Sequence, residues 1–301
     1  MLLSELLEKK MDINYEIKNE REIMTLGLVV SEIDVPFCTF VDDEKYLEVL
    51  PSNAKMLIVS RSIANKLKTL DEYGICVVEN PRNVFFKLHN VLEGDYRYVR
   101  EKKETTYGED CFISELAVIA NNNVEIGNNV TIEPLAVIKE NTKIGDNCII
   151  RSGAVIGGTD FEFKRENGTI FGVNHYGGVI IGNDVEIQYN SGINKALYPW
   201  DNTVVGDYTK IDMLVHIAHG VKIGRACMIV ANSGIGGRTT IGNECWVGFG
   251  STIKNGIQIG DNARVNMGAV VTKSVGNGES VTGNFAIDHT KFINNLKKIC
   301  L

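Results

Sequence analysis

Two of the chain's five histidines stand three residues apart in VHIAHGVKIG, Val215–Gly224. A neutral imidazole accepts a proton near neutral pH, so His216 and His219 are candidates for general-base work on an amine or hydroxyl nucleophile. The pair also has the chemistry of metal ligation. A third ligand would then have to be His175, since His89 and His289 fall outside the repeated part of the chain, and three histidines are the ligand set of a zinc carbonic anhydrase-like lyase. A third reading is two polar residues on an ordinary strand. The choice depends on the elements that hold them.

Those elements repeat every six residues. Aliphatic residues fall at Ile126, Ile132, Ile138, Ile144, Ile150 and Ile156, then at Ile181, Ile187 and Ile193. After an interruption at Pro199 the phase runs unbroken from Val205 through Ile211, Ile217, Ile223 and onward to Val271. Neither a helix nor a flat strand has this period. Many of these residues precede glycine, as in Ile223-Gly224 and Ile241-Gly242, which suits a corner with permissive dihedrals. Each hexad is expected to be a short strand and a turn, and stacked hexads form a parallel β-helix with one aliphatic side chain per hexad in the bore.

The pattern resembles the hexapeptide-repeat acyltransferases. That resemblance implies a left-handed helix with three hexads, eighteen residues, per coil, and packing as a homotrimer. The phase then places His219. Ile217 points inward, so His216 and His219 flank a core residue near the coil surface. Eighteen residues beyond His219 is Gly237, about one strand spacing (~4.8 Å) away, whose N–H would approach whatever His219 holds. A base and an oxyanion donor flanking one carbon suit acyl transfer from a thioester, which needs no metal. Asp212, one hexad upstream, is a candidate to orient the imidazole, or else a solvated turn aspartate.

Three features narrow the resemblance: KIDMLVHIAHGVKIG, an aromatic insertion beginning GGTDFEF, and an N-terminal α/β region. Together, up to about residue 272, they look like the UDP-3-O-acylglucosamine N-acyltransferases of lipid A synthesis. The resemblance implies that His219, in its Ile-Ala-His context, is the base and Gly237 the oxyanion donor. It implies further that Phe40 and Tyr46 stack a nucleotide base. His216 and His175 are assigned to substrate contact. Two departures stand out. The family's second functional histidine corresponds to Gly256 here, and a short ending replaces the tail that engages acyl carrier protein. GAVVTKSVGNGESVTGNFA is more similar to coenzyme A-dependent sugar acetyltransferases, and the chain is acidic, with Lys291, Lys297 and Lys298 in its last helix. The expected donor is therefore an acyl-coenzyme A in preference to acyl carrier protein. The alternatives are acylation of a dTDP- or UDP-amino-deoxy sugar, and a nucleotide-sugar binding protein without activity.

The expected organisation is mainly β: an α/β nucleotide-binding domain over 1–105, a left-handed parallel β-helix catalytic domain over 106–275 with a loop insertion at 157–180, and a tail and short C-terminal helix over 276–301. Within the first domain, strands are expected at Met56–Val59 and Gly74–Glu79, and helices over Ile63–Leu70 and Arg82–Leu92, the latter capped by Asn80 ahead of Pro81. The last helix, with Phe292, Ile293, Leu296 and Ile299 on one face, is expected to cover the open end of the stack. A formal charge of −7 and no basic stripe argue against nucleic acid. Early charges at Glu5, Glu8 and Lys9 and the lack of a long apolar run argue against a signal peptide or membrane span and for a cytoplasmic protein. Seven cysteines without CxxC spacing suggest buried free thiols, with neither disulfide framework nor zinc knuckle. Because a thioester donor is already activated, no bound cofactor is expected.

Overall fold

Six-residue repetition generates three parallel sheets. In the computed structural model, which describes residues 1–11, 13–67, 72–283 and 286–299, short strands follow one another around three faces of nine, eight and eight strands. In the unbroken run each strand pairs in parallel with the one eighteen residues on, as in Ile211 with Ile229, Ile217 with Ile235 and Ile223 with Ile241. The result is a mainly β parallel solenoid.

The bore is filled twice per hexad. Besides the expected aliphatic, the residue two places before it also points inward, for example Val215, Val221, Cys227 and Ala263. This second column is made of small residues, and its polar members serve the main chain. Thr209 Oγ1 donates to Gly224 O (3.0 Å), Cys227 Sγ to Gly242 O (3.1 Å), Thr239 Oγ1 to Lys254 O (3.0 Å) and Cys245 Sγ to Gly260 O (3.0 Å). The thiols of Cys38, Cys76, Cys111, Cys148, Cys227 and Cys245 are all free. Burial pushes the Cys148 thiol up to about 11, as expected of a structural cysteine. Cys300 lies outside the described residues.

The glycines after the core aliphatics have another purpose than the one expected. Left-handed backbone falls three residues after each core position, at every sixth residue from Tyr208 to Gly268. Gly224 is not among them. A Cβ there would lie 2.7 Å from the carbonyl carbon of Gly242, so glycine is needed because stacked coils approach closely.

The chain divides into two units: the solenoid (Thr105–Gly158, Val179–Asn194 and Thr203–Leu301), and a second unit of Met1–Glu104, Thr159–Gly178 and Lys195–Asn202. The insertion, expected as a loop of the β-helix, thus packs with the N-terminal residues, as does a second excursion at 195–202 that the sequence shows only as an interruption. This unit has a five-stranded sheet, β1 (Glu16–Lys18), β2 (Thr25–Leu26), β3 (Phe37–Val41), β4 (Ala54–Val59) and β5 (Gly74–Val77). Its order is β1-β5-β4-β3-β2, with β1 antiparallel and the rest parallel. Helices α1 (Leu3–Lys10), α2 (Arg61–Ala64) and α3 (Pro81–Val91) complete it. Asn80 Oδ1 caps α3 by accepting from Asn83 N (3.1 Å). The helix expected over Ile63–Leu70 is described only as far as Ala64, since residues 68–71 lie outside the described set. Helix α4 (His289–Ile299) forms, with Asp288 Oδ1 accepting from Lys291 N (3.1 Å), yet Phe292 is 49% exposed and so does not seal the stack.

In the N-terminal unit the insertion is fastened by a buried histidine. His89 on α3 is fully buried. One ring nitrogen, Nε2, is 2.8 Å from Asn174 O and must donate, which leaves Nδ1 to accept from the Tyr98 hydroxyl at 2.7 Å. Burial holds this imidazole down at about 4, against 6.5 in an unfolded chain. The folded state therefore resists the proton that the unfolded state takes up. The stabilisation is complete above pH 6.5 and declines as pH falls toward 4, by about 3 kcal/mol from this one group. Chemical unfolding followed by tryptophan fluorescence, from Trp200 and Trp246, should show wild type losing more stability than His89→Gln between pH 7 and pH 4. Parallel losses in the two proteins would refute this.

Candidate active site

His219 lies in the corner after the strand His216–Ile217, where Ile217 is anchored in the bore. The side chain is only 7% exposed, more buried than the sequence suggested. Its imidazole rests on Gly237, one coil further on. A Cβ at Gly237 would lie 2.7 Å from His219 Cε1 and 2.8 Å from Nε2, so only glycine leaves room for the ring. Main-chain bonds fix the register, from Arg238 N to His219 O (2.9 Å) and from Gly256 N to Gly237 O (3.0 Å). Gly256 itself is a left-handed corner residue, φ +71°, which glycine adopts without strain.

The amide of Gly237 lacks the side-chain acceptor that several equivalent corner amides have. Arg225 N is bound by Asn243 Oδ1 (3.0 Å), Asn243 N by Asp261 Oδ1 (2.6 Å) and Ala231 N by Asp212 Oδ2 (3.1 Å). The Gly237 N–H makes no hydrogen bond among the described residues. An imidazole and an uncommitted N–H are thus held side by side, the combination that proton transfer with oxyanion stabilisation requires.

Asp212 is occupied elsewhere. Its Oδ1 accepts from Met213 N (2.7 Å) and its Oδ2 from Ala231 N, so the carboxylate caps a neighbouring corner and its hydrogen bonds do not run to His219. His216 is exposed on the outer face of its strand, between Gly192 and Gly234 in the adjoining coils. His175 belongs to the other unit, where it is 5% exposed with Nδ1 3.0 Å from Val173 O. Among the described residues no three His, Cys, Asp or Glu side chains form a metal-binding group.

Phe40 lies on β3 and Tyr46 in the 3₁₀ helix Glu44–Val49 that follows, so both mark the carboxyl end of β3, where open α/β sheets place ligands. They pack on opposite sides of the sheet. Phe40 joins Phe85 (ring centroids 5.1 Å) and Phe86 (5.9 Å), whereas Tyr46 packs with the cluster of Phe37, Leu57 and Val59. Both rings remain partly exposed.

Sequence reasoning overlooked Thr203. Its side chain is fully buried, and its hydroxyl accepts from Gly220 N (2.9 Å), the amide directly after His219. Membership of the small inward-facing column was the only signal available.

Comparison with known proteins agrees with this architecture. Residues 123–158 and 202–237 match the bacterial transferase hexapeptide family (six repeats), and residues 238–273 match the hexapeptide repeat of succinyl-transferase. UDP-3-O-acylglucosamine N-acyltransferase 1 of Francisella tularensis subsp. holarctica (strain OSU18) is 32% identical over 65% of this chain, and the match spans 64% of that relative's length. The protein of the same name from Francisella tularensis subsp. tularensis (strain SCHU S4 / Schu 4) is 31% identical over 75% of this chain and 73% of its own. Among solved structures, UDP-N-acetylglucosamine acyltransferase from Campylobacter jejuni superposes with a TM-score of 0.53 at 22% identity, covering 64% of this chain and 78% of that one, a likeness of fold. No described helix is long and apolar enough to cross a membrane. With identity above 30% sustained over nearly three quarters of a relative, and the repeat that such relatives carry, the chain belongs to the UDP-3-O-acylglucosamine N-acyltransferase family.

Proposed function

We propose that the protein is a cytoplasmic N-acyltransferase that moves an acyl group from a thioester to the amine of a UDP-linked, 3-O-acylated glucosamine. The observation that carries this reading is the His219 imidazole seated against Gly237, whose N–H is uncommitted among the described residues. His219 takes the proton as the amine nitrogen attacks the thioester carbon, and the Gly237 N–H receives the oxyanion. Collapse of the tetrahedral intermediate forms the amide and expels the thiolate, to which the imidazolium returns its proton. His216, exposed on the same strand, contacts the donor or sugar, and Tyr46, partly exposed beyond the carboxyl end of β3, stacks on the uracil, with Phe40 on the other side of the sheet left to packing.

The working assembly is a homotrimer. One edge of the solenoid bears a line of exposed apolar residues, including Leu135, Met213, Leu214, Phe249 and Met267. Another edge is a ladder of polar residues such as Asn128 with Asp146 and Asn243 with Asp261. An apolar edge of that length suits packing against copies of the same chain. Sedimentation at the monomer mass would remove this part of the reading.

The test is mass spectrometry of products formed from UDP-3-O-acylglucosamine, with the same acyl group offered on coenzyme A and on acyl carrier protein. One added acyl group on the sugar amine is expected, and the comparison of carriers identifies the donor. Tyr46→Ala should raise the KM for the nucleotide sugar while sparing kcat. Turnover only with dTDP- or UDP-amino-deoxy sugars, or binding without any turnover, would overturn the assignment.

A further inference from the structure

At each solenoid corner from Ala226 to Gly268 the left-handed residue donates its N–H to a carbonyl nineteen residues earlier in the preceding coil. Ala226 binds Asp207 O (2.7 Å), Asn232 binds Met213 O (3.2 Å), Arg238 binds His219 O (2.9 Å) and Glu244 binds Arg225 O (2.8 Å). The corner at Gly220 lacks this partner. After Asn194 the chain leaves the solenoid for the 195–202 excursion, so the preceding coil has no corner residue to offer a carbonyl. The Thr203 hydroxyl fills the gap, accepting from Gly220 N at 2.9 Å and donating to Asn194 O at 2.6 Å.

Thr203 also breaks the pattern of its own column. Thr209, Cys227, Thr239 and Cys245 donate to the carbonyl fifteen residues ahead. Thr203 instead turns back nine residues, to the last carbonyl before the excursion. The Thr203 hydroxyl thus holds the amide adjoining His219, at a corner where no main-chain carbonyl among the described residues does so.

We propose that Thr203 is a positioning residue for His219: its hydroxyl stands in for the missing carbonyl and fixes the corner from which the imidazole reaches Gly237. The inference rests on His219 being the base. Loss of the hydroxyl leaves the Gly220 N–H unmatched in a buried site, and the corner must move to find another acceptor. A displacement of the order of 1 Å at a reacting group lowers turnover by up to about 10²-fold.

The test compares Thr203→Val, of nearly the same shape, with Thr203→Ser, which keeps the hydroxyl. Thr209→Val serves as a control that removes an ordinary column hydroxyl, and His219→Ala is measured in parallel. Thr203→Val is expected to lower kcat by about tenfold to 10²-fold with the nucleotide-sugar KM within about twofold of wild type. Thr203→Ser should recover most of the kcat, while Thr209→Val should lower the melting temperature and leave kcat near normal. Wild-type kcat in folded Thr203→Val, or losses in all three threonine variants that follow melting temperature alone, would overturn the inference. Near-normal turnover in His219→Ala would instead overturn the reading beneath it.

Discussion

His219→Ala is expected to lower kcat by about 10² to 10⁴-fold while the protein remains folded and its affinity for the nucleotide sugar changes little. The magnitude follows from removing the group that accepts the amine proton, with the Gly237 amide and the substrate contacts still present. Folding should survive because the corner is held by the carbonyl of residue 219, through Arg238 N, and by Thr203 through Gly220 N, none of which needs the imidazole. His216→Ala should cost less and show mainly in KM, since that side chain is exposed on the outer face of the strand. Steady-state kinetics on both variants, with circular dichroism to establish folding, decides the matter. A folded His219→Ala enzyme with near wild-type turnover would refute the base assignment, and equal losses at both histidines with stoichiometric bound zinc would favour metal chemistry.

The solenoid was legible because its signal is local and repeated: each core aliphatic and its pairing partner one coil on obey the same arithmetic, so Ile217 and Ile235 could be placed from spacing alone. The same arithmetic brought His219 to Gly237. It failed where a residue's purpose depends on a neighbour that spacing does not specify. Gly224 reads as a turn residue until the carbonyl of Gly242 is seen pressing on it. Asp212 reads as a partner for an imidazole, yet its two oxygens accept from the main-chain amides of Met213 and Ala231. Thr203 carries no signal beyond its place in the small inward-facing column, because the vacancy that it fills arises from the 195–202 excursion, whose path no hexad count reveals. In the α/β unit the six-residue spacing of Phe40 and Tyr46 is correct in sequence, but the strand alternation that sends Phe40 to one side of the sheet leaves Tyr46 to pack on the other.

Gly237→Ala should be nearly as damaging as loss of the base itself, although it adds a single methyl group. The backbone at Gly237 is not in the left-handed region, so alanine is compatible with its dihedrals and the damage must come from contact. The new Cβ would lie 2.7 Å from His219 Cε1, 2.8 Å from Nε2 and 3.1 Å from Nδ1, closer than real Cβ atoms approach a ring. The imidazole has to leave its seat or the coils have to part, and overpacking of this kind costs about 1–3 kcal/mol. Turnover should fall by about 10²-fold as the base is displaced. The double variant separates this cause from others. With His219 already alanine, the methyl at 237 meets no ring, so the double variant should be no slower than His219→Ala and should melt at a higher temperature than Gly237→Ala alone. If the two losses of turnover multiply, and the melting temperature is not recovered, then Gly237 acts independently of the ring that rests on it.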